Sequence, residues 1–577
     1  MNLDIMTYER NFDLLNRKFR ELFFPTLMAS IAGNFAVLVD AFFISMFMGS
    51  MYLSVVQSIE PFVAFINVIY WLIGLGGSIL CNMAKAEFDE KKGNAYFTVS
   101  IIGIIIIGLI MTLSTVIFQG SYVQLLCHSD QLKPFVTQYF YYYALGIVFE
   151  CYMVCLAYFI KTDGFVDMQF KAFLLCNVVN IILDVILMKF MNLGISGAAM
   201  ATTIGHIVSA IYITLYFFKP NRTLKFIKVK SSEIIGYAVD ICKSGSSVSS
   251  IPLYTTIRLV FLNALIVGIL GELGLAAFNM CYNTLYLVDI FILGTVQSIL
   301  PIAAVYYKEE DYTGVDYVTR RSLKIVIGFG AFFSALFILF PQIVLFIFNV
   351  SNPADIPTII NVIRIFSISF LAFAVNSLYM FYAESVQYNK LANIVTLLQG
   401  LIFPVLFAYI FAYLWGAEGF WASLVVSEFA TLLFIVIYSK IMARKSNNDY
   451  SGFFLIKKHE NATVFEFTLD GNVEDAVKLS ENIQKSFNED RLSVLVSMAI
   501  EDMIVHIINI NENIDLIDII IRDNGEYILI SIKYSGERIN VMEDEDMASN
   551  IAILNKISQK IDYSQILGLN NIVIRIK

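Results

Sequence analysis

In the stretch CNVVNIILDVILMKF (176–190), Asn177, Asn180 and Asp184 fall at i, i+3 and i+7 and so share one face of a helix. The run is otherwise apolar, and a carboxylate in hydrocarbon costs roughly 2.5–3.5 kcal/mol on insertion scales. Such a residue points to function by default. Asp40 stands midway along an earlier apolar run, and Thr202 near the start of a later one. If these faces converge, they offer only oxygen ligands, the set a small hard cation such as Na⁺ takes. Without a metal, two facing carboxylates can share a proton instead. Either occupant changes the local charge, which is what coupling to an ion gradient requires. The structural alternative is that Asn180 and Asp184 simply hydrogen-bond across a helix interface.

The elements that position these residues are legible from composition. Of 577 residues, 58% are hydrophobic and 15% charged, with a mean hydropathy of +0.71. A soluble domain is nearer half apolar and a quarter charged. Runs such as VSIIGIIIIGLIMTLSTVIF (99–118) are long enough to cross a ~30 Å hydrocarbon core as a helix. The pattern predicts twelve spans, at 22–47, 55–82, 97–119, 133–160, 168–190, 195–218, 246–270, 275–306, 322–349, 357–386, 390–414 and 417–441.

Lys and Arg concentrate in the N-terminal arm, in the even-numbered loops and after the last span. That bias puts both termini in the cytoplasm, and the expected location is the plasma (inner) membrane. MNLDIMTYERNFDLLNRKFRE reads as an interfacial helix rather than a cleavable signal. The seven Cys lie in or beside spans and read as small buried hydrophobes.

The chain resembles itself at a lag of about 220 residues. GLGGSILCNMAKAEFDEKKGNAYF, from Gly74, matches GTVQSILPIAAVYYKEEDYTGVDYV, from Gly294. LGISGAAMA (193–201) matches WGAEGFWAS (415–423), with Gly194 and Gly197 facing Gly416 and Gly419. Two halves of six spans keep their orientation, so the repeat is parallel, an arrangement used by transporters with substrate held near mid-membrane between lobes. The division that follows is an arm at 1–20, lobes at 21–218 and 246–443, an inter-lobe loop at 219–245, a linker at 444–453 and a tail at 454–577. The fold class is an all-α polytopic membrane protein of two six-helix lobes plus a small α/β cytoplasmic domain.

PTLMASIAGNFAVLVDAFFISMFMG (25–49), the Gly74 segment and NIILDVILMKFMNLGISGAAMATTIGH resemble the multidrug and toxic compound extrusion (MATE) transporters over residues 20–442. The resemblance implies an antiporter that expels amphipathic, often cationic compounds in exchange for H⁺ or Na⁺, and not an enzyme. It places the coupling cation at Asp40, Asn180, Asp184 and Thr202, with no cofactor and no resident metal beyond Na⁺ there. The matching positions of the second half, Phe261 and Val405, carry no carboxylate, so coupling should be one-sided. Glu60, Glu150, Asp289, Glu384 and Glu428, with His206, could face the central cleft and attract cations; Arg258 and Arg364 could instead pair with such acids. His206 and Glu428 occupy matching repeat positions. YFYYYA (139–144) offers an aromatic surface for cation–π contact or an interfacial belt.

The tail carries 12 Lys and Arg against 21 Asp and Glu, and the rest of the chain balances. An acidic face under a membrane is a poor partner for anionic lipid or nucleic acid. The pattern predicts a strand in NATVFEFTLDG, two helices over 473–490 and 491–510, a hairpin through Asp523-Asn524-Gly525, a third helix in SNIAILNKISQKID and a last strand in LGLNNIVIRIK. This order is similar to the histidine-kinase-type ATPase domain in its small anti-sigma-factor branch. The resemblance sets Asp502 and His506 at the acid and Mg²⁺-holding Asn positions, and Tyr534, followed by Gly536, at the adenine-reading Asp. Because those contacts are substituted, the tail reads as a site no longer suited to ATP, a module for sensing or for docking a cytoplasmic protein.

Three functions stay open at this point. The first is an antiporter for small amphipathic cations with a regulatory tail. The second is a flippase-like exporter of a lipid-linked or other amphipathic metabolite, and the third a membrane-anchored anti-sigma-type kinase. No G-x-x-x-x-G-K-[ST] loop occurs to support an ATP-driven pump.

Overall fold

The structure is a computed structural model and describes residues 9–48, 52–127, 132–347, 356–446, 449–458, 463–486, 491–510, 514–536 and 558–576. Helices run in the order α1 (Asp13–Met48), α2 (Leu53–Tyr70), α3 (Gly76–Ala86), α4 (Glu90–Ile117), α5 (Gln119–Leu126), α6 (Lys133–Thr162), α7 (Val166–Asp184), α8 (Gly194–Thr214) and α9 (Ser231–Ser249). There follow α10 (Ile251–Lys308), α11 (Tyr312–Leu339), α12 (Gln342–Ile347), α13 (Ile356–Ser367), α14 (Ser369–Ser385), α15 (Asn389–Leu397) and α16 (Phe403–Lys445). Ten segments among the described residues are long and apolar enough to cross a membrane. Their outward faces are apolar, as at Ile110, Leu113, Ile211 and Leu433, which in water would be a large exposed patch.

The repeat seen in the sequence is written into the backbone. Gly194 and Gly416, 222 residues apart, both adopt left-handed φ of 58° and 59°. Gly416 breaks α16 into two limbs, as Gly271 (φ 62°) breaks α10. Asp89 caps α4 by accepting from Lys92 N at 2.8 Å, and Asp311 caps α11 by accepting from Gly314 N at 2.9 Å. The residues before them, Phe88 and Glu310, share the same left-handed turn.

Small residues set the closest helix approach. A Cβ on Gly76 would stand 2.6 Å from the carbonyl oxygen of Ile241 and the nitrogen of Gly245, and one on Gly245 would stand 2.4 Å from the oxygen of Leu72. Glycine is required there because backbone, not flexible side chain, lies opposite. Six of the seven cysteines are buried as free thiols; Cys242 departs from the expectation and is exposed.

The tail is a two-layer α+β unit. Strands β3 (Thr463–Asp470), β4 (Leu516–Asp523), β5 (Ile528–Ser535), β6 (Ser558–Ile566) and β7 (Leu569–Ile576) form an antiparallel sheet in the order β3-β4-β5-β7-β6. It follows a short hairpin of β1 (Tyr450–Ser451) and β2 (Ile456–Lys457). Helices α17 (Val473–Ser486) and α18 (Arg491–Ile510) share one apolar core with the sheet, among them Leu479, Ile500, Ile504, Ile519, Ile530 and Ile574. The turn at Asp523 forms as expected, with Gly525 at φ 84° and its N–H donated to Asp523 Oδ1 at 2.8 Å. The expected third helix is corrected in part. Residues 558–562 are the start of β6, where they pair with β7, and 549–557 lie outside the described residues. Local helix propensity there loses to the neighbouring strand's open edge.

The arm is also corrected. Residues 1–8 lie outside the described residues, and the helix begins only at Asp13. Before it the chain is extended: Glu9 bridges Phe467, and Arg10 N donates to Glu466 O at 3.2 Å, so the arm extends the edge of β3. Arg10 then enters a buried ion cluster. Its Nη1 and Nη2 hold Asp311 Oδ1 and Oδ2, each at 2.9 Å, and its Nε reaches Asp518 Oδ2 at 3.3 Å. Lys533 Nζ binds the same Asp311 at 3.1 Å and Glu309 at 2.7 Å. Burial alone would raise the Asp311 carboxyl, but Arg10 and Lys533 outweigh it and hold that carboxyl well below the usual range. Asp518 goes the other way, because there burial outweighs Arg10.

On its other side the tail meets the first half of the chain. Leu567 N, in the β6–β7 turn, donates to Thr162 O at 3.1 Å. Close by, Lys308 Nζ binds Glu87 Oε1 at 2.6 Å and Lys161 Nζ donates to Gln297 O at 2.8 Å. The two helical halves therefore touch on this face, and the tail touches both.

Candidate ion-coupling site

Helix α7 packs against both α1 and α8, and this brings the predicted polar face together. Asp184 ends α7, fully buried, and a π-helical turn over Val185–Phe190 follows it directly. Such turns widen a helix and gather at functional sites. Asp40, on α1, is half-buried and lies within side-chain hydrogen-bonding reach of Asp184. Asn180 Nδ2 donates to Thr202 Oγ1 at 3.2 Å, and Thr202 in turn donates to Ala198 O at 3.1 Å. Neither oxygen of Asp184 has a protein donor, and Asp40 Oδ1 and Asn177 Nδ2 are likewise without a partner. Buried polar atoms are normally satisfied, so these oxygens keep acceptor capacity that no protein donor fills. A Na⁺ coordinated by oxygens, or a proton bridging the two carboxyls, would fit.

Sequence reasoning missed the tyrosines that extend this site. Tyr139 and Tyr143, both buried, stack one helical turn apart on α6 with ring centroids 6.4 Å apart. Tyr139 faces Asp40 and Asp184 and reaches the Thr202 hydroxyl. Tyr143 Oη donates to Glu150 Oε2 at 3.0 Å, and His206 Nδ1 lies 4.0 Å from that same oxygen. The cluster YFYYYA was visible, but which of its rings face inward depends on helix phase: Tyr141 is 41% exposed.

The remaining candidates separate. Glu60 is exposed on α2, a helix that touches both α6 and α10. Glu428 is buried among the second-half helices, where its Oε2 accepts from Asn376 Nδ2 and from Gln399 Nε2, both at 3.0 Å. Arg258 stands over the ring of Tyr282 at 5.2 Å, and Arg364 donates to Ile338 O at 3.1 Å. In the tail, Tyr534 is fully buried in the core, Asp502 and His506 are half-buried on α18, and Gly536 accepts a hydrogen bond from Gln565 at 3.4 Å. A fully buried Tyr534 side chain presents nothing to an adenine ring.

The model of the MatE family matches residues 25–186 and 253–410. The chain belongs to that family. Two matched segments of similar length fall on the two halves of the repeat, and the first contains Asp40, Asn180 and Asp184. Relatives include the multidrug export protein MepA of Staphylococcus haemolyticus, 22% identical over 422 residues, 72% of this chain and 91% of that protein. MepA of Staphylococcus aureus strain NCTC 8325 is 22% identical over 416 residues, 70% of this chain and 89% of it. An outward-facing multidrug resistance MATE transporter of the MOP superfamily superposes with a TM-score of 0.69 at 19% identity, over 74% of this chain and 96% of that one. A MOP superfamily transporter from Pyrococcus furiosus gives 0.68 at 21%, over the same shares. This MatE protein is thus a multi-pass membrane transporter, not an enzyme. Its tail lies beyond the matched segments.

Proposed function

We propose that this MatE protein is a secondary antiporter that exports amphipathic, cationic small molecules in exchange for H⁺ or Na⁺. The observation that carries the reading is Asp184, fully buried beside Asp40 with no protein donor to either oxygen. The relatives named multidrug export proteins support the export of drug-like substrates. Ion occupancy at Asp40, Asn180, Asp184 and Thr202, with Asn177 alongside, changes the charge of one bundle only. An ion with unequal affinity for two conformers then shifts their populations.

Helix α1, together with the two limbs of the segment that Gly416 divides, brings ten apolar segments to twelve, as two lobes of six. The basic loop face is cytoplasmic by the positive-inside rule, which sets the tail and both termini in the cytoplasm of a plasma (inner) membrane protein. The tail acts as a regulatory module rather than an ATPase, since Tyr534 is buried where the ATPase family needs a carboxylate.

The test is efflux of ethidium into everted vesicles under an imposed H⁺ or Na⁺ gradient, with Asp184→Asn beside wild type. Transport driven by one gradient and absent from the variant is expected, and names the ion. Transport indifferent to both gradient and variant would leave Asp184 a packing residue and put the flippase reading first.

A further inference from the structure

The groups around Glu150 are arranged unlike those around Glu428, the buried second-lobe carboxylate whose repeat position is that of His206. Glu428 is held by two amide donors, Asn376 and Gln399, which carry no exchangeable charge. Glu150 instead faces an imidazole, a second carboxylate, two phenols and two thiols. Tyr143 and Cys151 come from its own helix, Glu60 and Tyr70 from α2, Cys176 from α7 and His206 from α8. The side chains of Glu150 and His206 are 11% and 13% exposed, so the two meet largely out of solvent.

Geometry connects this cluster to the carboxylate pair without merging the two. Tyr139 stands between them: it lies beside Asp40, Asp184 and Thr202, while Tyr143 stacks on it and donates to Glu150. The helices are held at close range: a Cβ on Gly146 would lie 2.9 Å from Thr203 Oγ1, and Thr203 donates to Tyr142 O at 2.7 Å. Imidazole nitrogen is a poor ligand for Na⁺ but a good base. At 4.0 Å, His206 Nδ1 and Glu150 Oε2 are not hydrogen-bonded; a side-chain movement of about 1 Å would bring them to bonding distance.

We propose that Glu150 and His206 form a second, proton-carrying site in the first lobe, separate from Asp40 and Asp184. The proton arrives on one of two basic atoms, His206 Nδ1 or Glu150 Oε2, and is shared by them. The pair goes from a net charge of minus one to zero, and returns when the proton leaves toward the opposite side. Each export cycle then moves one proton more than the carboxylate pair alone would carry. This rests on the antiport reading above.

The experiment reconstitutes the full chain in proteoliposomes and measures protons moved per ethidium exported, with a pH-sensitive dye inside the vesicles. Wild type is compared with Glu150→Gln and with His206→Gln, so that one variant suffices if the other does not fold. The ratio is expected to fall by one proton in either variant, whichever ion the carboxylate pair uses. An unchanged ratio in a folded variant overturns the second site and leaves antiport standing. Wild type that exports without any ion gradient overturns antiport and this site together.

Discussion

Arg10 and Asp311, 301 residues apart in sequence, meet in a bidentate pair with both distances at 2.9 Å and almost no solvent contact. Asp311 is at the same time the N-cap of α11, the duty its repeat partner Asp89 performs alone and in the open. One half of an internal repeat has thus turned a helix cap into an anchor for the tail. Removing one partner of a buried pair costs about 3–5 kcal/mol, because the other charge is left uncompensated. Arg10→Met should therefore loosen the tail, seen as faster tryptic cutting at Lys457 and Lys458, between the helices and the sheet, in the purified full chain. Cutting at the wild-type rate would mean that apolar packing, not this cluster, holds the tail.

The cluster also fixes how docking responds to pH. The Asp311 carboxyl is held below its ordinary value, so its contribution is present above the unfolded value, about 3.9, and is lost as pH falls through the folded one. Asp518 and Glu466, both raised by burial, have the opposite sign and favour docking as they protonate. Amide-exchange protection of β3 should therefore be greatest in mildly acidic buffer and collapse in strong acid. A protection profile flat down to that range would contradict the assignment.

Thr202 is the coupling-site residue whose hydroxyl can be removed with little change in shape. Thr202→Val should raise the ion concentration needed for half-maximal ethidium efflux on the order of tenfold, with the maximal rate less affected. An unaltered ion dependence would remove Thr202 from the site and leave it as a hydrogen-bond partner of Asn180.

Close glycine packing predicts a sharp positional contrast. Gly245→Val drives side-chain carbons into the backbone of Leu72, and overpacking of this kind costs roughly 1–3 kcal/mol. Gly103→Ala meets no atom within 4 Å. Thermal unfolding in detergent should show the first destabilised and the second unchanged or slightly stabilised, since Ala is the better helix former; equal midpoints would mean that α9 and the turn at Leu72 do not pack this closely.

What was legible in the sequence was whatever repeats locally. Apolar runs, the 222-residue lag and the shared face of Asn177, Asn180 and Asp184 all survive in the structure, because helical period fixes them. Arg10 counted only among the basic residues of the arm and Lys533 only in the charge total of the tail, since nothing near either in sequence is its partner. Glu150 and His206 were singled out one by one, but their meeting depends on how α6 and α8 cross. Residues 558–562 look helical alone and become strand only because β7 offers a ladder.

The ion cluster also carries a schedule. Its charges are made in the order Arg10, Asp311, Lys533, and synthesis runs at about 5–20 residues per second. More than two hundred residues separate the second from the third, and they include every helix from α11 to α16. All the apolar segments have therefore left the ribosome before Lys533 exists, and until then Asp311 has only Arg10 to neutralise it. Sealing of the tail therefore comes last: its contacts, from Lys533 to Asp311 and from Leu567 to Thr162, need both halves of the helical part already in place.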